Sequence, residues 1–124
     1  MIGYVTLGTN DLAKGVKFYD GLADVMGAKR FMEEDTFVAW TGPNNEPGVA
    51  ITIPFDKNTA TVGNGTMVAL QVETPDQVKA VYNKALEMGG TCEGEPGSRG
   101  GGFYAGYFRD LDGNKLNAFC MVPE

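Results

Sequence analysis

The sequence contains no histidine, so acid–base or metal chemistry would have to come from carboxylates, phenols, thiols or amines. Histidine is the commonest general base near neutral pH and the commonest ligand of transition metals. The remaining candidates for proton transfer are Tyr4, Glu73 and Tyr107. No two of them are spaced so that a single element would bring them together. The residues alone therefore leave the catalytic residues unknown.

A glycine-rich segment, Glu95–Gly102, carries one cationic side chain, Arg99. Such a loop could close over a ligand while Arg99 pairs with an anion. The alternative is a flexible connection with a solvated arginine. A phosphate-binding loop is not indicated, because no Lys-Ser or Lys-Thr pair follows the glycines and no helix is predicted there.

The charge and composition of the chain limit the classes of partner that it could bind. The net charge is -6 and no run of Lys or Arg occurs, which argues against a nucleic acid or an anionic membrane and favours a small neutral or cationic ligand. The start of the chain lacks the basic and apolar regions of a signal peptide, so we expect a cytoplasmic protein. Cys92 and Cys120 show neither zinc-site spacing nor disulfide density, and we expect two reduced, mostly buried thiols.

Hydrophobic periodicity predicts one strand, one helix and three strands in the first half of the chain. Asp11 is a plausible N-cap and Gly27 a plausible C-cap of the helix between them. The segment 54–65 is polar, contains glycine and proline and shows neither the helical nor the strand periodicity of apolar residues. The predicted strands of this half are 3–9, 28–33, 36–41 and 49–53.

The second half repeats this order. Thr74-Pro75-Asp76-Gln77 matches a capping box with proline at the first helical position, and Gly89-Gly90 stops the helix. Tyr4, Asp11 and Gly27 each have a counterpart 63 residues later, in Met67, Thr74 and Gly90. The predicted strands of this half are 66–73, 91–95, 103–109 and 115–122. We therefore predict a single domain of two βαβββ modules, 1–54 and 66–124, joined by a linker at 55–65.

Two motifs resemble the vicinal oxygen chelate superfamily, which groups glyoxalase I, bleomycin and fosfomycin resistance proteins and extradiol dioxygenases. The first is Tyr4–Leu12 leading to Phe18-Tyr19, which is similar to the opening strand, Asp cap and helical Phe-Tyr pair of that family. The second is Tyr107–Asn117, which is similar to its aromatic, Asp-Pro-Asp-Gly, Glu hairpin. The resemblance implies an α+β fold whose two βαβββ modules have mixed, strongly curved sheets that form cup-shaped pockets.

Metalloenzymes of that family hold a divalent ion with His, Gln or Glu from the first and last strands of each module. Carried over to this chain, those positions fall on Tyr4, Met67 and Asn117, and on either Ala50 or Thr52. Only Tyr4 could become an anionic ligand, and a phenol with a pKa of about 10 would need strong activation to bind a metal at pH 7. We therefore expect neither a metal nor another cofactor.

The resemblance also implies a ligand site on the concave faces of the sheets. Tyr107 matches a position that contacts the ligand in fosfomycin-resistance members, and Trp40 and Phe103 are plausible aromatic neighbours on adjacent strands. The predicted ligand-binding residues are Tyr4, Trp40, Thr52, Met67, Arg99, Phe103, Tyr107 and Asn117.

Three functions are compatible with these residues. The first is a metal-independent protein that binds a small organic molecule in an aromatic-lined pocket, as bleomycin-resistance members do. The second is a lyase, isomerase or dioxygenase-like enzyme, related to lactoylglutathione lyase, that uses altered ligands. The third is a structural module with a vestigial pocket. In each case we expect a homodimer, although the modules could pair within one chain or across the dimer.

Overall fold

The structure, a computed structural model, describes residues 1–123, so the last residue of the predicted second module lies outside it. The first half of the chain forms one strand, one helix and three strands, and the second half repeats this order. The elements are β1 (Tyr4–Gly8), α1 (Leu12–Met26), β2 (Lys29–Glu34), β3 (Phe37–Thr41), β4 (Gly48–Thr52), β5 (Val68–Gln71), α2 (Pro75–Glu87), β6 (Thr91–Ser98), β7 (Phe103–Arg109) and β8 (Lys115–Met121).

The strands form two four-stranded mixed sheets with the same topology. The strand orders are β1-β4-β3-β2 and β5-β8-β7-β6. In each sheet the first strand is parallel to the last strand of its module, and the other pairs are antiparallel. The predicted α+β fold with two βαβββ modules is confirmed. We call the side of each sheet that packs on a helix its helix face, and the opposite side its cup face.

Local signals in the sequence set the helix ends. The Asp11 side chain accepts a hydrogen bond from the backbone N–H of Lys14, and Gly27 ends α1 with a φ of 72°. A side chain would strain this left-handed conformation, which glycine adopts freely. In α2 both hydrogen bonds of the capping box between Thr74 and Gln77 are present. These caps fix where each helix leaves its sheet.

Strand β6 is longer than the sequence predicts, because it continues past Glu95 to Ser98. It lies at the edge of its sheet, where Pro96 can be accommodated, since an edge strand leaves some N–H groups without a strand partner. The register shifts on both sides of Gly94. Cys92, on the same strand, is exposed and only Cys120 is buried, so the expectation of two mostly buried thiols is wrong for Cys92.

Residues from both modules share one hydrophobic core between the sheets and helices. Phe18, Phe108 and Leu116 are among its fully buried members. Helices α1 and α2 pack on each other closely enough that a Cβ at Gly21 would lie 3.2 Å from the Met88 side chain. All strand pairs of residues 1–123 lie within one module, so the modules meet through their helices and loops. No helix in this part of the chain is long and apolar enough to cross a membrane.

Candidate functional site

The centre of the second cup face is a row of four residues on neighbouring strands. Ala69 pairs with Asn117 across β5 and β8, Asn117 pairs with Tyr107 across β8 and β7, and Tyr107 pairs with Gly94 on β6. Alternation along the strands sends Leu116 into the core on the other side of the sheet. The strand register thus places Tyr107 and Asn117 side by side on the cup face.

Asn117 is the polar group at the centre of this row. Its side chain is only 1% exposed, and its Oδ1 has no hydrogen-bond partner among the residues that the structure describes. Buried polar atoms are nearly always paired, and an unpaired one costs about 1–3 kcal/mol. Asn117 Oδ1 is therefore a free hydrogen-bond acceptor at the cup face, and it lowers the stability of the free protein.

Two cations and a glycine surround the Tyr107 ring. The Arg99 guanidinium carbon lies 5.4 Å and the Lys115 Nζ lies 5.6 Å from the ring centroid, within the range of a cation–π interaction. A Cβ at Gly94 would lie 3.3 Å from the ring, so the absence of a side chain there lets the ring rest on β6. Tyr107 is held in place against the sheet.

In the free chain the Arg99 guanidinium is bonded to its own loop. Its Nη1 and Nη2 donate to the backbone carbonyls of Gly97 and Glu95, at 2.8 and 2.7 Å. The adjoining glycines form a tight β6–β7 turn in which Gly100, Gly101 and Gly102 all have positive φ. This geometry places Arg99 over the Tyr107 ring, and its role toward a ligand stays a prediction.

Aromatic and apolar side chains continue the same face. Phe103 and Phe119 stack with ring centroids 5.2 Å apart and an interplanar angle of 24°. Met67 precedes β5 and is 39% exposed, and Met121 at the end of β8 is 55% exposed. Five of the eight predicted ligand-binding residues thus lie at or beside this one cup face: Met67, Arg99, Phe103, Tyr107 and Asn117.

The first cup face has no polar group at its centre. Asn117 pairs with Ala69, and the residue 63 positions before Ala69 is Thr6, which pairs with Ala50. Ala50 is therefore the counterpart of Asn117, which resolves the choice between Ala50 and Thr52. By the same register Ala39 is the counterpart of Tyr107.

Tyr4 and Thr52 occupy the margins of this first cup face. The Tyr4 ring meets Phe37 edge-on, with 5.9 Å between the centroids, across the strand β4 that separates them. The Thr52 hydroxyl is engaged by the backbone, since it donates to the carbonyls of Thr36 and Ile53. In a single chain neither residue joins the row at Asn117.

Trp40 lies on the helix face, so the expectation that it lines the cup is corrected. Its indole Nε1 donates to Asp20 Oδ1 of α1 at 2.9 Å, and its ring lies 5.5 Å from that of Tyr19. Asp20 is also bonded to Arg30, and this hydrogen bond lowers the pKa of the Asp20 carboxyl group. Trp40 anchors α1 to β3.

The β7–β8 turn clamps the two modules together, a role that the sequence did not predict. Asp110 Oδ2 accepts from the Tyr19 hydroxyl at 2.7 Å, and the Asn114 amide donates to the Gly8 carbonyl at 2.9 Å. Burial, and then the Asp110 carboxylate, raise the pKa of Tyr19, so the phenol remains the donor at neutral pH. The same turn orients the strands that carry Tyr107 and Asn117.

A metal does not fit the residues at the family ligand positions. Tyr4, Met67 and Asn117 supply one phenol, one thioether and one amide, and Ala50 supplies no donor atom. Hard divalent cations require several oxygen ligands and transition metals prefer imidazole or thiolate. Among residues 1–123 no group of three or more Cys, Asp or Glu side chains lies close enough to hold an ion.

The sequence profile of the Glyoxalase/Bleomycin resistance protein/Dioxygenase superfamily matches residues 1–118. The chain belongs to this superfamily. It is similar to a glyoxalase/bleomycin resistance protein from Albidiferax ferrireducens, with 32% identity over 98% of this chain and 99% of the other and a TM-score of 0.90.

Two further solved structures show how widely the fold is shared. A hypothetical protein from S. aureus is 27% identical over 97% of this chain and 92% of its own, with a TM-score of 0.75. Lactoylglutathione lyase from Agrobacterium tumefaciens has 17% identity over 96% and 92% of the two chains and a TM-score of 0.68, a likeness of fold alone. No curated protein matches the sequence.

Proposed function

We propose that this protein is a metal-independent cytoplasmic protein that binds a small organic molecule on the second cup face. The observation that carries the proposal is the buried Oδ1 of Asn117, which has no partner among the described residues. A ligand that donates an O–H or N–H to this atom restores the missing hydrogen bond. An aromatic ring of the ligand would lie against Tyr107 and the Phe103–Phe119 stack.

In the proposal, a ligand reaches Asn117 by displacing the side chains beside it. Tyr107, Lys115 and Phe119 are only partly buried, and Lys115 is a long, flexible side chain. In the proposal, the ligand takes the place of Lys115 beside the Tyr107 ring. The ligand class is therefore a planar or aromatic molecule with a hydroxyl or amine donor, held mostly by apolar contact.

A homodimer would complete this site with the first cup face of a second chain. Tyr4, Met67 and Met121 are 49, 39 and 55% exposed in one chain, and large apolar side chains exposed on both cup faces favour a covering partner. Pairing the cup face of one module with that of the other module in a second chain covers them. It brings a phenol, Tyr4, to the margin of the row at Asn117.

Replacing Asn117 with leucine is expected to separate stability from binding. Leucine is close in size and removes the unpaired acceptor, so the free energy of unfolding should rise by about 1–2 kcal/mol. The melting temperature should increase by several degrees. A thermal-shift screen of small aromatic alcohols and amines should yield compounds that stabilise the natural protein and leave Asn117→Leu unaffected.

The matched control is Asn83→Leu on the exposed side of α2, which adds the same side chain away from the cup. This variant should respond to the compounds as the natural protein does. Equal stabilisation of Asn117→Leu by every compound found, or no stabilising compound at all, would refute the proposed site.

Replacing Tyr4 with aspartate is expected to convert a dimer into a monomer, because it buries a charge in the paired cup faces. Analytical ultracentrifugation should give twice the chain mass for the natural protein at micromolar concentrations and the single mass for Tyr4→Asp. Phe55→Asp, at a fully exposed residue of the linker, should remain dimeric. A natural protein that sediments as a monomer would exclude the shared site.

A further inference from the structure

A second, open pocket lies between the helix face of the first sheet and the free edge of β5, where it reaches Met67 and Ala69 at the margin of the second cup face. It is a cavity of about 860 Å³ between α1, the first sheet and the free edge of β5. Its floor and walls are mostly apolar, and Trp40 contributes part of the floor. The apolar residues that define it include Val5, Leu22, Ala23, Met26, Trp40 and Val49.

The cavity exists because the clamp between the modules has no counterpart on this side. Asn114 lies three residues before Asn117. Ala50 is the counterpart of Asn117 in the first module, and the residue three before it is Pro47, which has no N–H and no side-chain donor. Asp110 lies three residues after Tyr107, and the residue three after Ala39 is Gly42. The two modules are thus joined on one side and left apart on the other.

The edge of β5 consequently keeps polar backbone groups free. The Val72 N–H donates to the Phe119 carbonyl, so alternation turns the N–H and C=O groups of Ala69 and Gln71 away from β8, on the side of the cavity. In the first module the corresponding carbonyl, of Gly8, accepts from Asn114. The Gln71 carbonyl has no such partner in the clamp, so it is free to accept a hydrogen bond from a ligand.

The charged side chains of the lining are all acidic. Glu46 and Glu73 belong to it together with Gln77, and the lining contains no Lys or Arg. Neither carboxylate forms a salt bridge within residues 1–123. Two carboxylates, a free carbonyl and apolar walls match a molecule with a positive donor at one end and an apolar body.

We propose that this cavity is a second binding site, for an amphiphilic primary ammonium compound. The alkyl or aromatic body lies against Trp40, Leu22 and Val49. The ammonium group lies at the acidic part of the lining, where it pairs with Glu46 and Glu73 and can donate to the Gln71 carbonyl.

Trp40 is the only tryptophan of the chain, so its fluorescence reports occupancy of the cavity. Titration with n-octylammonium should change the Trp40 emission saturably. Octan-1-ol, which lacks the charge, should bind at least about tenfold more weakly, because it forms no ion pair. Octanoate, which carries the opposite charge, should give no saturable change.

Two sets of variants test the charge and the volume. The double variant Glu46→Gln, Glu73→Gln should lower the affinity for octylammonium by roughly fivefold or more. Ala23→Leu, and independently Ala28→Leu, place added volume in the cavity and should abolish the saturable change while circular dichroism shows an intact fold. Asn117→Leu should bind octylammonium normally, which separates this site from the cup.

Equal affinities for octylammonium, octan-1-ol and octanoate would overturn the proposal, and so would binding unaffected by the glutamate or alanine variants in folded protein. An emission spectrum of the free protein that changes with protein concentration would show that a second copy of the chain covers the cavity, which would also overturn it.

Discussion

Replacing Asp110 with alanine is expected to lower the free energy of unfolding by about 3–5 kcal/mol, since it removes the acceptor at the centre of the clamp. The Asp110 carboxylate is buried and accepts from the Tyr19 hydroxyl, the Asn114 side chain and the backbone N–H groups of Asp112 and Asn114. Without it, these donors lose their partner inside the protein. Chemical denaturation should show the loss, and the melting temperature should fall by about 10 °C or more.

Asp56→Ala is the matched control. Asp56 also accepts a backbone N–H in a turn, from Asn58 at 2.9 Å, but it is exposed. Its replacement should change the free energy of unfolding by no more than about 0.5 kcal/mol. If Asp110→Ala lost as little as Asp56→Ala, the turn would not join the modules.

Replacing Phe108 with alanine should also cost about 3–5 kcal/mol, because it opens a cavity in a close-packed core. Phe108 is fully buried on the helix face of β7, whereas its neighbour Tyr107 faces the cup. Differential scanning calorimetry measures the effect, and Phe55→Ala, at a fully exposed phenylalanine, should be nearly neutral.

The result for Phe108 also tests the orientation of the strand that carries the site. A one-residue shift in register would exchange the two faces, and Phe108 would then lie at the cup. In that case Phe108→Ala would be nearly as mild as the Phe55 control, and Tyr107→Ala would cause the large loss instead.

Local chemistry in the sequence predicted the elements well. The cap at Asp11, the left-handed Gly27 and the capping box of Thr74 and Gln77 act over a few residues, so they can be seen without knowledge of the fold. The candidate residues of the second cup face, Asn117 among them, came from the family resemblance, because no local signal marks a ligand site.

Trp40 was misplaced because β3 gives no clear alternation. Phe37, Val38, Ala39 and Trp40 are all apolar, so the pattern does not tell which of them face the helix. The indole is on the helix face because Asp20, on α1, provides an acceptor for its N–H. That contact joins residues 20 positions apart and has no periodic signature.

The clamp and the cavity could not be predicted for a related reason. Tyr19 and Asp110 are 91 positions apart, and only the assembled modules bring them together. Gly42 and Pro47 can be identified as the counterparts of Asp110 and Asn114 only from the strand register, since the two hairpins differ in length by one residue. The repeat in the sequence thus predicted that the two modules share one topology. It did not predict that a clamp joins them on one side and a cavity separates them on the other.

The most direct test of ligand binding on the second cup face is a crystal structure of the protein with a compound found in the thermal-shift screen. We predict a ligand donor about 3 Å from Asn117 Oδ1, with the body of the ligand against Tyr107 and Phe119 and Lys115 turned aside. A structure in which the compound binds elsewhere, with no ligand atom within hydrogen-bond distance of Asn117 Oδ1, would contradict the account.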